Sequence, residues 1–226
     1  MTKVFIGVGH GGKDSGAVGK GGLLEKNINL SIAQACGDEL ERHGVTVRLS
    51  RTRDEDDPVS QEVAECNAFT PDLAVAIHNN AAGGTADGAE VFYSRVGGTG
   101  KKLAENILAH ITKLGQKSRG AKTRTTTSGA DYYAFIRETR AHAVIVEACF
   151  LDSEDIALVD TEAKRVAVGK AIAHGILETL GVTLKKEPTA SLVLYRVQAG
   201  AYSTRAAAEA QKKRLQAAGF DAIITT

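Results

Sequence analysis

The chain alternates between short apolar runs and longer segments in which apolar residues recur every three or four positions. Buried β-strands are predicted for the short runs, at residues 3–8, 45–49, 73–77, 89–93 and 143–150. Helices are predicted where apolar residues fall on one helical face, at residues 27–43, 58–69, 100–114 and 161–180. Because helices separate most of these strands, we expect an α/β fold with a mostly parallel, twisted sheet and helices on both faces.

Two polar stretches interrupt this pattern. Residues 116–130 are rich in Lys, Arg and Thr and show no hydrophobic period, so we expect an irregular loop there. Residues 183–191 are also polar and contain Pro188, which is typical of a linker. The main domain is therefore predicted to cover residues 1–182.

The remaining residues, 192–226, repeat the pattern on a smaller scale. A strand is predicted at 192–202, a helix at 204–218 and the start of another strand at 220–224. A β-α-β segment of this size is too small to bury a stable core alone. We therefore expect a small, incomplete C-terminal segment after the linker.

Composition and charge exclude several classes of protein. The apolar fraction of 43% and the charged fraction of 24% are those of a soluble globular protein. The net charge of +1 gives no global field that favours nucleic acid or a membrane surface. No apolar run approaches the ~20 residues that span a bilayer. The first residues enter a core strand without a signal-peptide region, so we expect synthesis in the cytoplasm.

A glycine-rich loop follows the first strand. Residues 7–12 match the G-x-G-x-x-G pattern of dinucleotide sites, and residues 7–13 match most of the phosphate-loop pattern. Both motifs require a helix to open at once, whereas this chain stays glycine-rich for roughly another dozen residues. The phosphate loop also requires Ser or Thr where this chain has Asp14. The loop is therefore better explained by a metal site than by a nucleotide site.

Three chemically active side chains lie at or near the ends of predicted strands, where α/β proteins place their sites. They are His10, His78 and Glu147, and Glu25 stands just before the first predicted helix. Two histidines and a glutamate suit Zn²⁺ with a fourth position open, and zinc lowers the pKa of bound water to ~7. Glu147, an acid within an apolar strand, is the candidate base. From the residues alone, Glu25 is equally well explained as an acid favoured at a helix start.

Four blocks of sequence carry a resemblance to a known family. They are VGHGGKDSGAVGKGGLLEKNINL, TVRLSRTRD, DLAVAIHNNAA and HAVIVEACFLDSEDIALV. Together they resemble the zinc-dependent N-acetylmuramoyl-L-alanine amidases of the Amidase_3 type, over residues 3–181. The resemblance implies that His10, Glu25 and His78 bind zinc and that Glu147 is catalytic. It also implies hydrolysis of the amide between the lactyl group of N-acetylmuramic acid and L-alanine in peptidoglycan.

The chain departs from that family at two positions. Residues 61–67 lack the arginine that the family often has there, and Ser153 stands where asparagine is usual. Neither position belongs to the predicted metal site, so we expect altered packing and unaltered chemistry. The tail LYRVQAGAYSTRAAAEAQKKRLQAAGFDAIIT resembles the first half of a SPOR domain, a module that binds peptidoglycan. Residues 192–226 are therefore interpreted as a partial SPOR-like segment.

Secondary candidates keep two interpretations each. Asn80 follows His78 by two residues, and it either contacts substrate or has no role. Arg119 belongs to a basic run, which either attracts anionic groups of the cell wall or is a solvated loop. Cys149 shares a strand face with Glu147 by the period of two, but a small buried thiol is the favoured interpretation. The three cysteines are dispersed and odd in number, which argues against a disulfide framework.

Two other functions fit the same sequence. One is a zinc carboxypeptidase or aminopeptidase acting on wall peptides, and the other is a non-catalytic peptidoglycan-binding protein. We expect a monomer that acts on the cell wall after lysis, holin-mediated release or non-classical export. Phage, sporulation and vegetative roles are all compatible with the sequence.

Overall fold

The computed structural model describes residues 2–185, 199–220, 222 and 224. The chain divides into two compact units, residues 1–185 and residues 186–226. In the first unit the strands are β1 (Lys3–Val8), β2 (Thr46–Leu49), β3 (Leu73–Asn80), β4 (Ala89–Tyr93), β5 (Ser118–Lys122) and β6 (His142–Phe150). Its helices are α1 (Glu25–Arg42), α2 (Val59–Phe69), α3 (Thr99–Thr112), α4 (Ala134–Glu138) and α5 (Glu162–Leu180).

The six strands form one sheet in the order β2-β1-β3-β6-β4-β5. Every neighbouring pair is parallel except β4 and β6, which are antiparallel. The exception follows from the short, helix-free connection between β3 and β4, since a parallel return requires a longer crossover. The predicted mostly parallel sheet is confirmed.

Helices cover both faces of this sheet, as the strand periodicity predicts. Val4, Ile6 and Val8 of β1 pack in a core with α1, α3 and α5. Phe5, between them in the strand, belongs to a second core with α2 and α4. Alternate residues of a strand point to opposite faces, so one apolar run supplies both cores. The same alternation decides which face each polar side chain at the strand ends will reach.

Four local predictions are corrected. Strand β5 lies within the predicted loop 116–130; its residues are exposed or half-buried at the sheet edge, so no hydrophobic period marks it. Helix α4 is also unpredicted, since five residues are too few to show a helical period. Helix α1 begins at Glu25, two residues early. Strand β3 continues to Asn80, so His78 lies on the strand.

The second unit contains helix α6 (Arg205–Ala217), where a helix was predicted. Thr204 caps it by accepting a hydrogen bond from the Ala207 N–H. Residues 199–202 are described and form no strand. Residues 220, 222 and 224 of the other predicted strand also lie in no strand. Residues 192–198 of the first predicted strand, residues 221 and 223 of the second, and most of the linker lie outside the described residues. Among the helices that the structure describes, none is long and apolar enough to cross a bilayer.

Candidate metal centre

His10 occupies a strained position at the end of β1. Its φ is 63°, in the left-handed region that costs a non-glycine residue about 1–3 kcal/mol. Arg51, only 2% exposed, holds the backbone there by donating to the carbonyl oxygens of Val8 and Gly9. It also donates to the carbonyl of Lys26 at 2.8 Å, which ties the strand end to the start of α1. The left-handed backbone of His10 thus turns its imidazole towards Glu25 of α1 and His78 of β3.

Two glycines make room for the candidate ligands. A Cβ at Gly9 would lie 2.2 Å from the His78 ring, and a Cβ at Gly16 would lie 2.5 Å from Glu25 Oε2. Real side chains do not reach such distances, so neither position accepts even alanine without a shift of the ligands. These two glycines thus make room for the His-Glu-His group.

His10, Glu25 and His78 meet at one point. His10 Nε2 lies 3.1 Å from Glu25 Oε2, and His78 Nδ1 lies 3.2 Å from Glu25 Oε1. Their candidate ligand atoms all lie within 4.8 Å of one another, and no other such group occurs in the described part of the chain. Both imidazoles are about a quarter exposed, whereas Glu25 is buried. The donor types and their spacing fit a divalent ion such as zinc, with one side open to a ligand.

Glu25 is fixed by backbone and side-chain donors as well as by the histidines. Its Oε2 accepts from the Ala17 N–H at 2.8 Å, and its Oε1 accepts from the Asn79 N–H at 3.0 Å. Asn29, one turn along α1, donates to Oε1 at 3.1 Å. Burial acts to raise the pKa of Glu25, but the hydrogen bonds from His10 and His78 hold that pKa well below its usual range. The residue is therefore an ionised, oriented carboxylate.

Buried amides connect this carboxylate to Cys149. Asn29 also donates to the Gly9 carbonyl and accepts from the Asn79 side chain at 2.8 Å. Cys149 Sγ donates to the same Asn79 at 3.1 Å, and burial raises the pKa of its thiol. A register shift between β3 and β6 after His78 places Cys149 in the core beneath α1. The prediction that Cys149 shares a strand face with Glu147 was therefore wrong. Cys149 is a buried thiol that supports the amide network.

Asp14 orients His10 from the exposed side. Its Oδ2 accepts from His10 Nδ1 at 2.7 Å, which leaves Nε2 facing Glu25. Burial disfavours the charged imidazole, but the hydrogen bonds to Glu25 and Asp14 outweigh it and raise the pKa of His10 to about 9. Protons and a metal ion therefore compete for the same nitrogen. Asp14 was not among the predicted site residues, although its i+4 spacing from His10 is visible in the sequence.

Asp14→Asn is expected to weaken metal binding about 10- to 100-fold, because an amide holds the His10 tautomer less firmly than a carboxylate. The affinity is measured by competition with a chelating indicator. Asp38→Asn, an exposed position on α1, is the matched control and should bind as the wild type does. An unchanged affinity in Asp14→Asn would remove Asp14 from the site.

Glu147 lies beside the candidate ligands on the next strand. It is paired in register with His78 across β3 and β6, and with Glu90 across β6 and β4. Its Oε2 is enclosed and has no hydrogen-bond partner among the described residues. Burial raises the pKa of Glu147 to about 7, an effect that His78 partly offsets. A carboxyl group with this pKa is suited to taking and returning a proton near neutral pH.

Asn80 and Arg119 both bind Glu90. Asn80 Nδ2 donates to Glu90 Oε1 at 3.3 Å, and Arg119 Nε donates to Oε2 at 2.8 Å. Lys122 reaches the same Oε2 at 2.6 Å. Strand β5, which the sequence did not reveal, brings the two basic residues there. Glu90 is the strand neighbour of Glu147, so Asn80 and Arg119 both lie near the candidate base and donate hydrogen bonds to Glu90. Their contact with substrate stays a prediction.

Glu62 is a buried acid that sequence analysis missed. It lies on α2, is 6% exposed, and its Oε1 is enclosed without a hydrogen-bond partner among the described residues. A Cβ at Gly7 would lie 1.9 Å from that oxygen, so the carboxylate rests on the bare backbone of β1. Burial raises the pKa of Glu62 to about 7. No local pattern marked it, because its burial depends on Gly7, which is distant in sequence.

Glu62→Gln is expected to stabilise the metal-free protein more at pH 8 than at pH 5. A carboxyl whose pKa rises from 4.5 to about 7 on folding destabilises the fold progressively as the pH rises between those values. A shift of that size corresponds to on the order of 3 kcal/mol of unfolding free energy. Urea unfolding at the two pH values measures the difference. An equal effect at both would show that Glu62 titrates normally.

Comparisons with known proteins identify the family of the chain. The Amidase_3 model, described as N-acetylmuramoyl-L-alanine amidase, matches residues 4–178, and the SPOR domain model matches residues 179–226. The chain is 33% identical to the N-acetylmuramoyl-L-alanine amidase CwlM of Bacillus licheniformis over 99% of its own length and 85% of that protein. It is 32% identical to the sporulation-specific N-acetylmuramoyl-L-alanine amidase of Bacillus subtilis, over 99% and 84%.

Solved structures agree with the sequence matches. The amidase AmiC2 of Nostoc punctiforme superposes with a TM-score of 0.73 at 31% identity, covering 80% of this chain and 97% of that one. Cwp6 of Clostridium difficile gives a TM-score of 0.78 at 36% identity, covering 79% of this chain and 29% of that one. With matches that span most of its length, the chain belongs to the Amidase_3 family of N-acetylmuramoyl-L-alanine amidases and carries a SPOR domain.

Proposed function

We propose that this chain is a zinc-dependent amidase that cleaves the bond between N-acetylmuramic acid and L-alanine in peptidoglycan. The observation that carries the proposal is the His10–Glu25–His78 group, whose ligand atoms lie within 4.8 Å of one another. Glu147, in register with His78, supplies the acid–base group that hydrolysis requires. Family membership supports an amidase of peptidoglycan. The choice of zinc rests on the donor set.

Each residue has a defined part in the proposed reaction. His10, His78 and Glu25 would hold the ion, which would polarise the scissile carbonyl and make water more acidic. Glu147 accepts a proton from the attacking water. It then returns that proton to the nitrogen of L-alanine as the C–N bond breaks, so the leaving group departs as an amine. Its pKa of about 7 permits both directions of transfer.

The second unit has a separate proposed role. The SPOR match covers residues 179–226, and we propose that it increases the affinity of the chain for peptidoglycan.

Asn29 and Asp14 hold the ligands of the catalytic unit in place, and Arg51 anchors the loop that carries His10. The catalytic proposal therefore depends on residues of the first unit alone.

Removal and return of the metal test the zinc assignment. The chain is stripped with a chelator, dialysed, and assayed on purified sacculi before and after adding Zn²⁺, Mg²⁺ or Ca²⁺. We expect activity to vanish on stripping and to return with zinc and not with the two hard cations, because imidazole is a poor ligand for those. Full activity of the stripped protein, or recovery with Mg²⁺ alone, would contradict the proposal.

A further inference from the structure

We propose that Glu62, assisted by Asp57, forms a subsite that binds a primary ammonium group of the substrate beside the metal centre. The inference rests on the proposed function, since the substrate it describes is peptidoglycan. Glu62 lies within residues 61–67, the range that lacks the arginine expected from the family resemblance.

A cavity of about 350 Å³ joins the two sites. His10 and His78 line it on the side of the metal centre, while α2 contributes Glu62 to its wall. Apolar atoms complete it, including those of Pro58, Phe135 and Ile145. Binding sites for small groups commonly combine an apolar wall with a few placed polar atoms. A ligand held at the metal centre therefore has Glu62 within the same cavity.

The chain is shaped to hold Glu62 there. Gly7 provides the space that its Oε1 occupies, since a Cβ at that position would lie 1.9 Å away. The side chain is more than nine-tenths buried, and its enclosed oxygen has no hydrogen-bond partner among the described residues. Burying an unpaired carboxylate is costly unless a ligand compensates it. A role in packing alone would be served better by an apolar residue.

The charges of the cavity favour a cation. Its lining includes Asp14, Asp57 and Glu62, and no Lys or Arg among the residues that the structure describes. Asp14 is already hydrogen-bonded to His10. Asp57 adds a carboxylate whose two oxygens are enclosed, and burial raises its pKa. A cationic group entering the cavity therefore meets two acids that are not committed to the metal ligands.

An ammonium group fits these acids better than a second divalent ion. A metal site normally needs at least three protein ligands, and the described residues contain no second group of three. An ammonium has three donors and can donate to Glu62, while the negative charge of Asp57 attracts it and the carbon atoms that carry it pack on Phe135 and Ile145. The acids and the apolar wall together match a carbon-linked primary amine.

The spacing places this ammonium near the scissile bond. Gly7 lies against Glu62 and Gly9 lies against the His78 ring, two residues apart along the same extended backbone. Two residues of strand span about 7 Å. Two amines of peptidoglycan have this chemistry: the C2 amine of muramic acid that lacks its acetyl group, and the side-chain amine of the diamino acid in the stem peptide.

The test uses the full-length, zinc-loaded chain and four muramoyl-tripeptides. The sugar amine is free or acetylated, and the third residue is lysine or Nε-acetyl-lysine. Values of kcat/KM are compared for the wild type, Glu62→Gln and Glu65→Gln. The last variant removes the same charge from the same helix at a residue that does not line the cavity.

We expect the wild type to prefer a free amine over its acetylated form by about tenfold or more at one of the two positions. Glu62→Gln should reduce that preference to about twofold or less, while Glu65→Gln keeps it. The position at which the preference appears identifies the source of the ammonium. The absence of preference in the wild type, or its survival in Glu62→Gln, would overturn the inference.

Failure of the proposed function is recognised separately. If the wild type cleaves neither these compounds nor sacculi, the proposed amidase activity is wrong. The ammonium subsite is then tested by calorimetric binding of the same four compounds. Tighter binding of a free amine that is lost in Glu62→Gln supports the subsite, and equal binding of free and acetylated forms overturns it.

Discussion

Glu147→Gln is expected to reduce the hydrolysis of peptidoglycan by a factor on the order of 10³, while the protein keeps its metal. Glutamine has nearly the same shape, but it can neither accept a proton from water nor return one to the leaving amine. The residue lies beside His78, and one of its oxygens is enclosed and has no hydrogen-bond partner among the described residues. The release of new alanine N-termini from purified sacculi measures the rate.

The matched control is Glu105→Gln, which removes an exposed carboxylate from α3. It should keep both activity and metal. Metal content of each purified variant is measured by atomic absorption. Undiminished release of alanine N-termini by Glu147→Gln would show that the proton-transfer group lies elsewhere.

His78→Ala is expected to lose the metal ion and, with it, all hydrolysis. Only His10 and Glu25 would remain of the three candidate ligands. Added zinc should raise the melting temperature of the wild type, since a ligand at 100 times its Kd stabilises the folded state by about 2.7 kcal/mol. The variant should show no such shift and contain no metal after purification.

His142→Ala provides the comparison for this variant. His142 is an exposed histidine at the start of β6, at the opposite end of the strand from Glu147. Its replacement should leave the zinc-induced shift in melting temperature intact. Full zinc content in His78→Ala would remove His78 from the ligand set, whatever the activity of the variant.

Much of the central sheet could be read from the sequence, because its strands are buried on both faces. Strands β1 and β6 consist almost wholly of apolar residues, which leaves little ambiguity. His10 and Glu147 are the exceptional polar residues at or near the ends of these strands, so the sequence indicates them as candidate site residues. The parallel arrangement brings such ends together, so the candidate site follows from the fold class.

The parts that were missed are those where tertiary contacts replace periodicity. Strand β5 forms at an exposed edge through pairing with β4, and polar residues suit it there. Cys149 leaves the face predicted for it because of a register shift that no local pattern encodes. Glu62 resembles an ordinary helix-surface acid until Gly7 is found beneath it. These features depend on pairs of residues that are distant in sequence.

Purified sacculi digested with the zinc-loaded chain, with the products identified by mass spectrometry, separate the proposed amidase from its two alternatives. We expect free L-alanine N-termini on the released peptides and free lactyl carboxylates on the glycan strands. New peptide carboxylates, with L-alanine still joined to muramic acid, would show a peptidase. Sacculi that bind the protein and remain uncleaved would show a binding protein, and either result would show that the chain is not an N-acetylmuramoyl-L-alanine amidase.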